Sequence, residues 1–573
     1  MSKRESLATA SGPASPRPAR PAEPAAKRAR WRELLSAPLL IVAVALFIVV
    51  ADNDPFWRGA WRATENNDHR LAILATLFAL VFVTLTTFLS LALGRKLVRV
   101  VAALLLLIAA SCGFFMVEYG VVIDQSMIRN TVETTVLEAT PLLSRAYFVH
   151  VLLYGVVPAI VVFAVPLKRL RWPTELLVRF GTAAAGVALL ATTLYVNYGA
   201  ASFFGRENDG LRLQINPAYP IWAAATFGMS SDDEALEARE PLDVKLAPVA
   251  SVQHKPALVV IVMGETARAD RFSLNGYERD TNRYTRAHDV VNFPRVVSCG
   301  TSTAESLPCI FSGLGKAKFS HRAAMARESI VGAMQRLGID TFWRDNSTGC
   351  KSVCDEQHFE QRANWTHPQL CDATGCFDEL LLEDFDALLT DRTQDHLIVF
   401  HQRGSHGPAY HTDVPQAAKE YFPECNLANL SNCDREAINN SYDNTILYTD
   451  YFLSRVIEAL EQRSAEFDTA MLYVSDHGES LGENGLYLHG LPYSMAPREQ
   501  IEVPMLFWAS PGFYVERAKV DPKCLRSSAE RDTSHDAIFH TLLPLFGLES
   551  PLYDERLDLM AACRGDPITA VER

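Results

Sequence analysis

The sequence runs to 573 residues, of which 49% are hydrophobic, and carries a formal net charge of −13. That length exceeds one compact domain. The acidic balance, with no lysine- or arginine-rich patch outside the N-terminal tail, excludes a nucleic-acid partner.

Residues 1–33 are rich in Pro, Ala, Arg and Lys without apolar periodicity, which predicts a disordered basic tail. The tail is too long and Pro-rich for the start of a cleaved signal peptide, so the next segment reads as a retained anchor. Five apolar runs follow, near 34–51, 71–93, 99–119, 147–166 and 178–198. Each approaches the roughly 20 residues that span a bilayer, which predicts a five-helix transmembrane domain over 34–200. Arg95, Lys96 and Arg99, then Lys168, Arg169 and Arg171, mark the cytoplasmic loops. Five spans therefore carry everything after residue 200 across the membrane.

The loop at 120–146 shares that outer side. Met127, Ile128, Val132, Val136 and Leu137 recur at helical spacing between Asn130, Glu133, Thr134 and Glu138. Two readings fit: an amphipathic helix lying in the interface, or a polar face that holds a lipid headgroup. Residues 201–250 read as a linker. Within it Asn216–Met229 is aromatic and apolar but too short and Pro-broken to span, as expected of an interfacial segment.

Residues 251–573 alternate short Val/Ile/Leu-rich runs (Leu258–Met263, Leu397–Phe400, Met471–Val474) with helical patterns (Ser329–Leu337, Asp443–Gln462). That alternation predicts an α/β domain with a mainly parallel sheet. Ten of the 11 cysteines lie beyond residue 298. They couple by proximity as Cys299/Cys309, Cys350/Cys354, Cys371/Cys376, Cys425/Cys433 and Cys524/Cys563. Without a CxxC pair, disulfides in an oxidising compartment fit better than a metal cluster.

Ligands in such sheets bind beyond the carboxyl ends of the strands. Glu265 follows one apolar run there and Asp476-His477 another. Zinc accepts two carboxylates and an imidazole and leaves a position open. Thr303, in a turn closed by Cys299 and Cys309, is the candidate nucleophile, because a metal lowers a hydroxyl's pKa. His401, His406 and His489 lie in glycine-containing loops at the same sheet end, as candidates for a second metal site, phosphate contact or general acid. Lys351 reads either as a cation for phosphate or as a solvated loop lysine.

The motifs Met263-Gly-Glu-Thr-Ala-Arg268, Ser298-Cys-Gly-Thr-Ser-Thr-Ala304, Trp343-Arg-Asp-Asn346, Gly404-Ser-His-Gly-Pro408, Tyr442-Asp-Asn-Thr445 and Ser475-Asp-His-Gly-Glu-Ser-Leu-Gly-Glu483 resemble the phosphoethanolamine transferases of Gram-negative inner membranes. That group includes lipid A-modifying and mobile colistin-resistance enzymes. The resemblance covers nearly the whole chain and implies an alkaline phosphatase/sulfatase-like periplasmic domain. It implies zinc, one ion with a second left open, held by Glu265, Thr303, Asp476 and His477, with Thr303 as nucleophile. It further implies headgroup contacts from Lys351, His406 and His489, and from Asn130, Thr134 and Glu138 on the membrane side. The implied partners are a phosphatidylethanolamine donor and a lipid A acceptor, handled by a monomer. Two departures bear on the acceptor: Ser347 stands where some relatives have Asn, and His411-Thr-Asp-Val-Pro415 replaces a more aromatic, basic run.

Three rivals remain in view. Sulfatase chemistry fails, because Ser306-Leu-Pro-Cys-Ile310 lacks the arginine that formylglycine formation requires. A phosphoglycerol transferase, or transfer to a core sugar or other glycan, would share the threonine. An inactive lipid-binding protein would have no use for the intact Glu265, Thr303, Asp476 and His477.

Overall fold

The computed structural model describes residues 36–565, except 66, 93, 135, 169, 199–203, 206–207, 235–238, 248–254, 355–357, 364 and 428. The expected N-terminal tail lies outside the described residues. The first apolar run forms α1 (Ala37–Ala51), followed by α2 (Asp54–Ala63) after a 62° bend. The expected span over 34–51 is therefore shorter than predicted. Its fifteen helical residues cover only about 22 Å, so a fifth crossing needs α1 and α2 together. The bend has a local cause. Asn53 Nδ2 donates to Ile48 O (2.9 Å) and Asn216 O (2.7 Å), while Asn216 Nδ2 donates to Asp52 O (2.9 Å) and Ala109 O (2.7 Å). These bonds satisfy carbonyls exposed where the helix breaks, which an apolar surrounding demands.

Among the described residues four further helices are long and apolar enough to cross a membrane: α3 (Arg70–Leu91), α4 (Arg95–Glu118), α7 (Arg145–Ala164) and α8 (Trp172–Val196). Between α4 and α7 the predicted amphipathic segment divides into α5 (Gln125–Glu133) and α6 (Val136–Leu142), because Thr134 adopts extended backbone angles. Asp124 caps α5 by accepting from Met127 N at 2.9 Å. The stretch expected as an interfacial segment forms α9 (Ala218–Glu234). Its entry residue Asn216 is fully buried within the helical bundle.

The soluble domain is built on eight strands: β1 (Ala257–Gly264), β2 (Val291–Val297), β3 (Asp340–Asp345), β4 (Phe359–Gln361), β5 (His396–His401), β6 (Asp468–Ser475), β7 (Glu502–Ala509) and β8 (Thr533–Ser534). Their order across the sheet is β8-β2-β7-β6-β1-β5-β3-β4. The sheet is parallel except for β7, which runs antiparallel to both neighbours. The three predicted runs are its central strands β1, β5 and β6. Every residue of β1 is buried, as a strand covered on both faces requires.

One face of β1 (Val259, Ile261, Met263) packs on α10 (Thr303–Ser312) and α12 (Asp536–Leu545), and the other (Leu258, Val260, Val262) on α11 (Arg435–Glu461). The register then aligns the strand exits. Gly264 pairs with Ser475, Met263 with His401, and Asp345 with His401, so Glu265, Asp476, His401 and Asp345 meet at one edge. The five expected disulfides are all formed, and Cys112 is the free thiol among the described residues.

Ile261 sits at the centre of this sandwich with no exposed surface. Ile261→Ala is expected to cost about 2–5 kcal/mol, read as a lowered Tm of the purified full-length chain. An unchanged Tm would contradict close packing around β1.

Candidate metal centre

Glu265, Asp476 and His477 each present a ligand atom, and these lie within 4.8 Å of one another in a buried cluster. Two backbone features place them. Asp476 N donates to Gly264 O at 2.9 Å, locking the two strand exits together. Gly404 approaches so closely that a Cβ there would stand 2.7 Å from Glu265 O.

The donor set fits a tetrahedral zinc ion. Ligand atoms roughly 2 Å from such an ion stand roughly 3.4 Å apart. His477 Nε2 lies 3.3 Å from Glu265 Oε1 and 3.3 Å from Asp476 Oδ2. Both His477 Nε2 and Asp476 Oδ2 are buried without a hydrogen-bond partner. His477 Nδ1 lies 3.0 Å from Gly478 O, and donation there fixes the tautomer that leaves Nε2 free to ligate.

Thr303 completes the cluster. Its hydroxyl donates to Glu265 at 3.1 Å from each carboxylate oxygen. As the first residue of α10, with Ser302 as N-cap and the Cys299–Cys309 disulfide tying the turn to the helix, it sits where helix N–H groups favour negative charge.

Electrostatics reflect the demand for a cation. Burial alone would raise Glu265, but His401 and His477 beside it hold it well below the usual carboxylate range. Burial and the Glu265 charge push Asp476 up to about 6. Burial opposes charge on His477, yet Asp476 and Glu265 lift its pKa to about 9.

His401, a candidate from the sequence, and Asp345, outside the candidate set, orient Glu265. His401 Nε2 stands 3.3 Å from Glu265 Oε2, and His401 Nδ1 stands 2.6 Å from Asp345 Oδ2. Burial works against charge on His401, but Asp345 and Glu265 raise it to about 10. Ser347 Oγ donates to Glu265 Oε2 at 3.3 Å. The sequence signals for these contacts are positional: Asp345 and His401 each end a strand of the sheet.

The other predicted residues divide. The rings of His489 and His477 are 4.4 Å apart and those of His406 and His489 5.1 Å apart. His489 Nδ1 pairs with Glu479 Oε2 at 2.7 Å, a partner missed from sequence. His406, His489, Asn130 and Thr134 all line one cavity of about 390 Å³ between the soluble domain and helices α4–α6. The placement of α5 thus brings its polar face to the histidines. Lys351 Nζ lies 3.0 Å from Glu133 Oε2 at the end of α5. The side chain of Glu138 lies outside the described residues.

His401→Gln or Asp345→Asn is expected to weaken zinc binding by about 10–100-fold, measured by competition with a chromophoric chelator. Wild-type affinity in both variants would contradict the orienting role.

Comparison with known proteins places this geometry in a family. A sulfatase family model matches residues 257–548, and the model for phosphoethanolamine transferases EptA/EptB matches residues 81–230. Phosphoethanolamine transferase EptA from Escherichia coli (strain K12) is 34% identical, covering 94% of this chain and 99% of the relative. Phosphatidylethanolamine transferase Mcr-1 from Escherichia coli is 34% identical over 92% of this chain and 98% of its own length. The integral membrane lipooligosaccharide phosphoethanolamine transferase A (EptA) from Neisseria meningitidis superposes with a TM-score of 0.87 at 32% identity, over 93% of this chain and 100% of that structure. With its helical membrane region and alkaline phosphatase-like domain, this chain belongs to the phosphoethanolamine transferases.

Proposed function

We propose that the chain moves phosphoethanolamine from phosphatidylethanolamine to lipid A, with Thr303 as a covalent carrier and zinc as cofactor. The observation that carries this reading is the buried Glu265–Asp476–His477 cluster around the Thr303 hydroxyl, beside a cavity that reaches the membrane helices. A zinc ion bound there supplies the Lewis-acid charge that lowers the pKa of the hydroxyl. Thr303 Oγ1 attacks phosphorus, the new Oγ–P bond forms, and the P–O bond to diacylglycerol breaks. His489, aligned by Glu479, and His406 stand on the cavity side to hand a proton to the leaving alkoxide. Lys351 offsets phosphoryl charge. A phosphate or hydroxyl oxygen of the acceptor then displaces Thr303.

The acceptor assignment rests on family membership and on the name of the Neisseria meningitidis relative, which acts on lipooligosaccharide. The domain plan is a basic tail (1–33), a membrane domain (34–200), a linker (201–250) and a catalytic domain (251–573). The catalytic domain is assigned to the periplasm of the inner membrane. Basic loops at Arg95, Lys96 and Arg99 support that orientation. So do the five disulfides, which need an oxidising compartment. An added amine on lipid A offsets negative surface charge and weakens attraction of cationic peptides such as polymyxins.

Thr303→Ala is expected to cut diacylglycerol release from phosphatidylethanolamine by on the order of 10³-fold or more. Chelation of the wild-type enzyme should do the same. Peptide mass spectrometry of trapped wild-type enzyme should find phosphoethanolamine on Thr303, and lipid A from expressing cells should carry the same added mass. Modification of a different residue would contradict the mechanism, and unmodified lipid A would move the acceptor elsewhere.

A further inference from the structure

Glu133 is the last residue of α5. A carboxylate at a helix C-terminus faces the negative end of the helix dipole and is stabilised only by a cation beside it. In the structure that cation is Lys351, 3.0 Å away across the boundary between the membrane and soluble domains. Lys351 is nearly enclosed, its side chain 7% exposed, while Glu133 is 30% exposed. Its loop is fixed by the Cys350–Cys354 disulfide and by left-handed backbone at Lys351 and Ser352 (φ 49° and 64°). The same loop begins at Ser347, whose hydroxyl bonds the Glu265 carboxylate. Four residues link Ser347 to Lys351, a reach of at most about 14 Å. On the other side, Asn130 lies one helical turn before Glu133, and Thr134 follows it. Both line the cavity shared with His406 and His489. The ion pair does not itself line that cavity but stands beside its Asn130 and Thr134 wall.

Opening this ion pair for a neutral or singly charged ligand leaves one charge unmatched, either the enclosed Lys351 or the 30% exposed Glu133. A zwitterion avoids that penalty. We infer that Glu133 and Lys351 exchange each other for the two ends of the phosphoethanolamine headgroup, the phosphate taking Lys351 and the ammonium taking Glu133. Glu133 thereby selects donors that carry a primary amine. This rests on the donor reading above and assigns a specificity residue within it. No covalent step is added: the pair separates when the headgroup binds and closes again when the site empties.

The test uses the full-length, zinc-loaded chain in detergent. Diacylglycerol release from acyl-labelled phosphatidylethanolamine is inhibited with O-phosphoethanolamine or with ethyl phosphate, which lacks only the ammonium group. The wild type should favour O-phosphoethanolamine by about tenfold or more, the scale of one charge-assisted hydrogen bond. In Glu133→Gln the ratio of inhibition constants should fall towards one, with ethyl phosphate bound no more weakly than before. Glu133→Asp, which keeps the charge, should retain most of the preference. An unchanged ratio in Glu133→Gln overturns the inference. Equal weakening of both inhibitors also overturns it, because the pair then serves only to join the domains. A wild-type chain that releases no diacylglycerol overturns the donor reading, and this inference with it.

Discussion

Two carboxylates and an imidazole, all buried, lie within 4.8 Å of one another, with His401 against one of the carboxylates. Buried charge is costly unless it is paired, and the donor set fits a cation. A zinc ion held by Glu265, Asp476 and His477 would supply that pairing, next to the Thr303 hydroxyl that donates to the same Glu265 carboxylate. The remainder of the catalytic domain serves to hold this arrangement. Gly404 closes on Glu265, Asp345 and His401 steady its carboxylate, and the Cys299–Cys309 disulfide fixes the turn that delivers Thr303.

Assembly of the site from distant segments follows from the sheet. Parallel strands end at the same edge, so residues just beyond β1, β3, β5 and β6 become neighbours whatever their separation in the chain. The helix that starts at Thr303 enters at that edge with its N-terminus forward. The membrane helices contribute from the other side. α5 lies against the soluble domain, carries Asn130 and Thr134 to the histidines, and ends in the Glu133–Lys351 pair. The cavity between these parts is bounded by His406 and His489 on one side and by the membrane-side helices on the other.

Much of this could be read from the sequence because it depends on local pattern. Apolar runs of about seven residues followed by Glu265 or Asp476-His477 state both the strand and the ligand at its exit. The cysteine spacings state the disulfides for the same reason, since four of the five bridge residues 4–10 apart. What escaped depends on contacts between remote residues. The bend after α1 is held by Asn216, 163 residues from Asn53, and nothing local announces that pairing. Asp345 and Glu479 lie within the sequence motifs, but only the fold shows one turned to His401 and the other to His489. β7 breaks the parallel pattern because its direction is set by chain connection rather than by its apolar composition.

The central claim is that one metal ion sits among Glu265, Asp476 and His477 with Thr303 Oγ1 at its open position. Anomalous diffraction from crystals of the zinc-loaded full-length chain, collected on both sides of the zinc absorption edge, tests it most directly. The account predicts a zinc peak enclosed by those four side chains, at roughly 2 Å from each ligand atom. A zinc peak elsewhere, with Thr303 remote from it and the carboxylates bound to no ion, would contradict it.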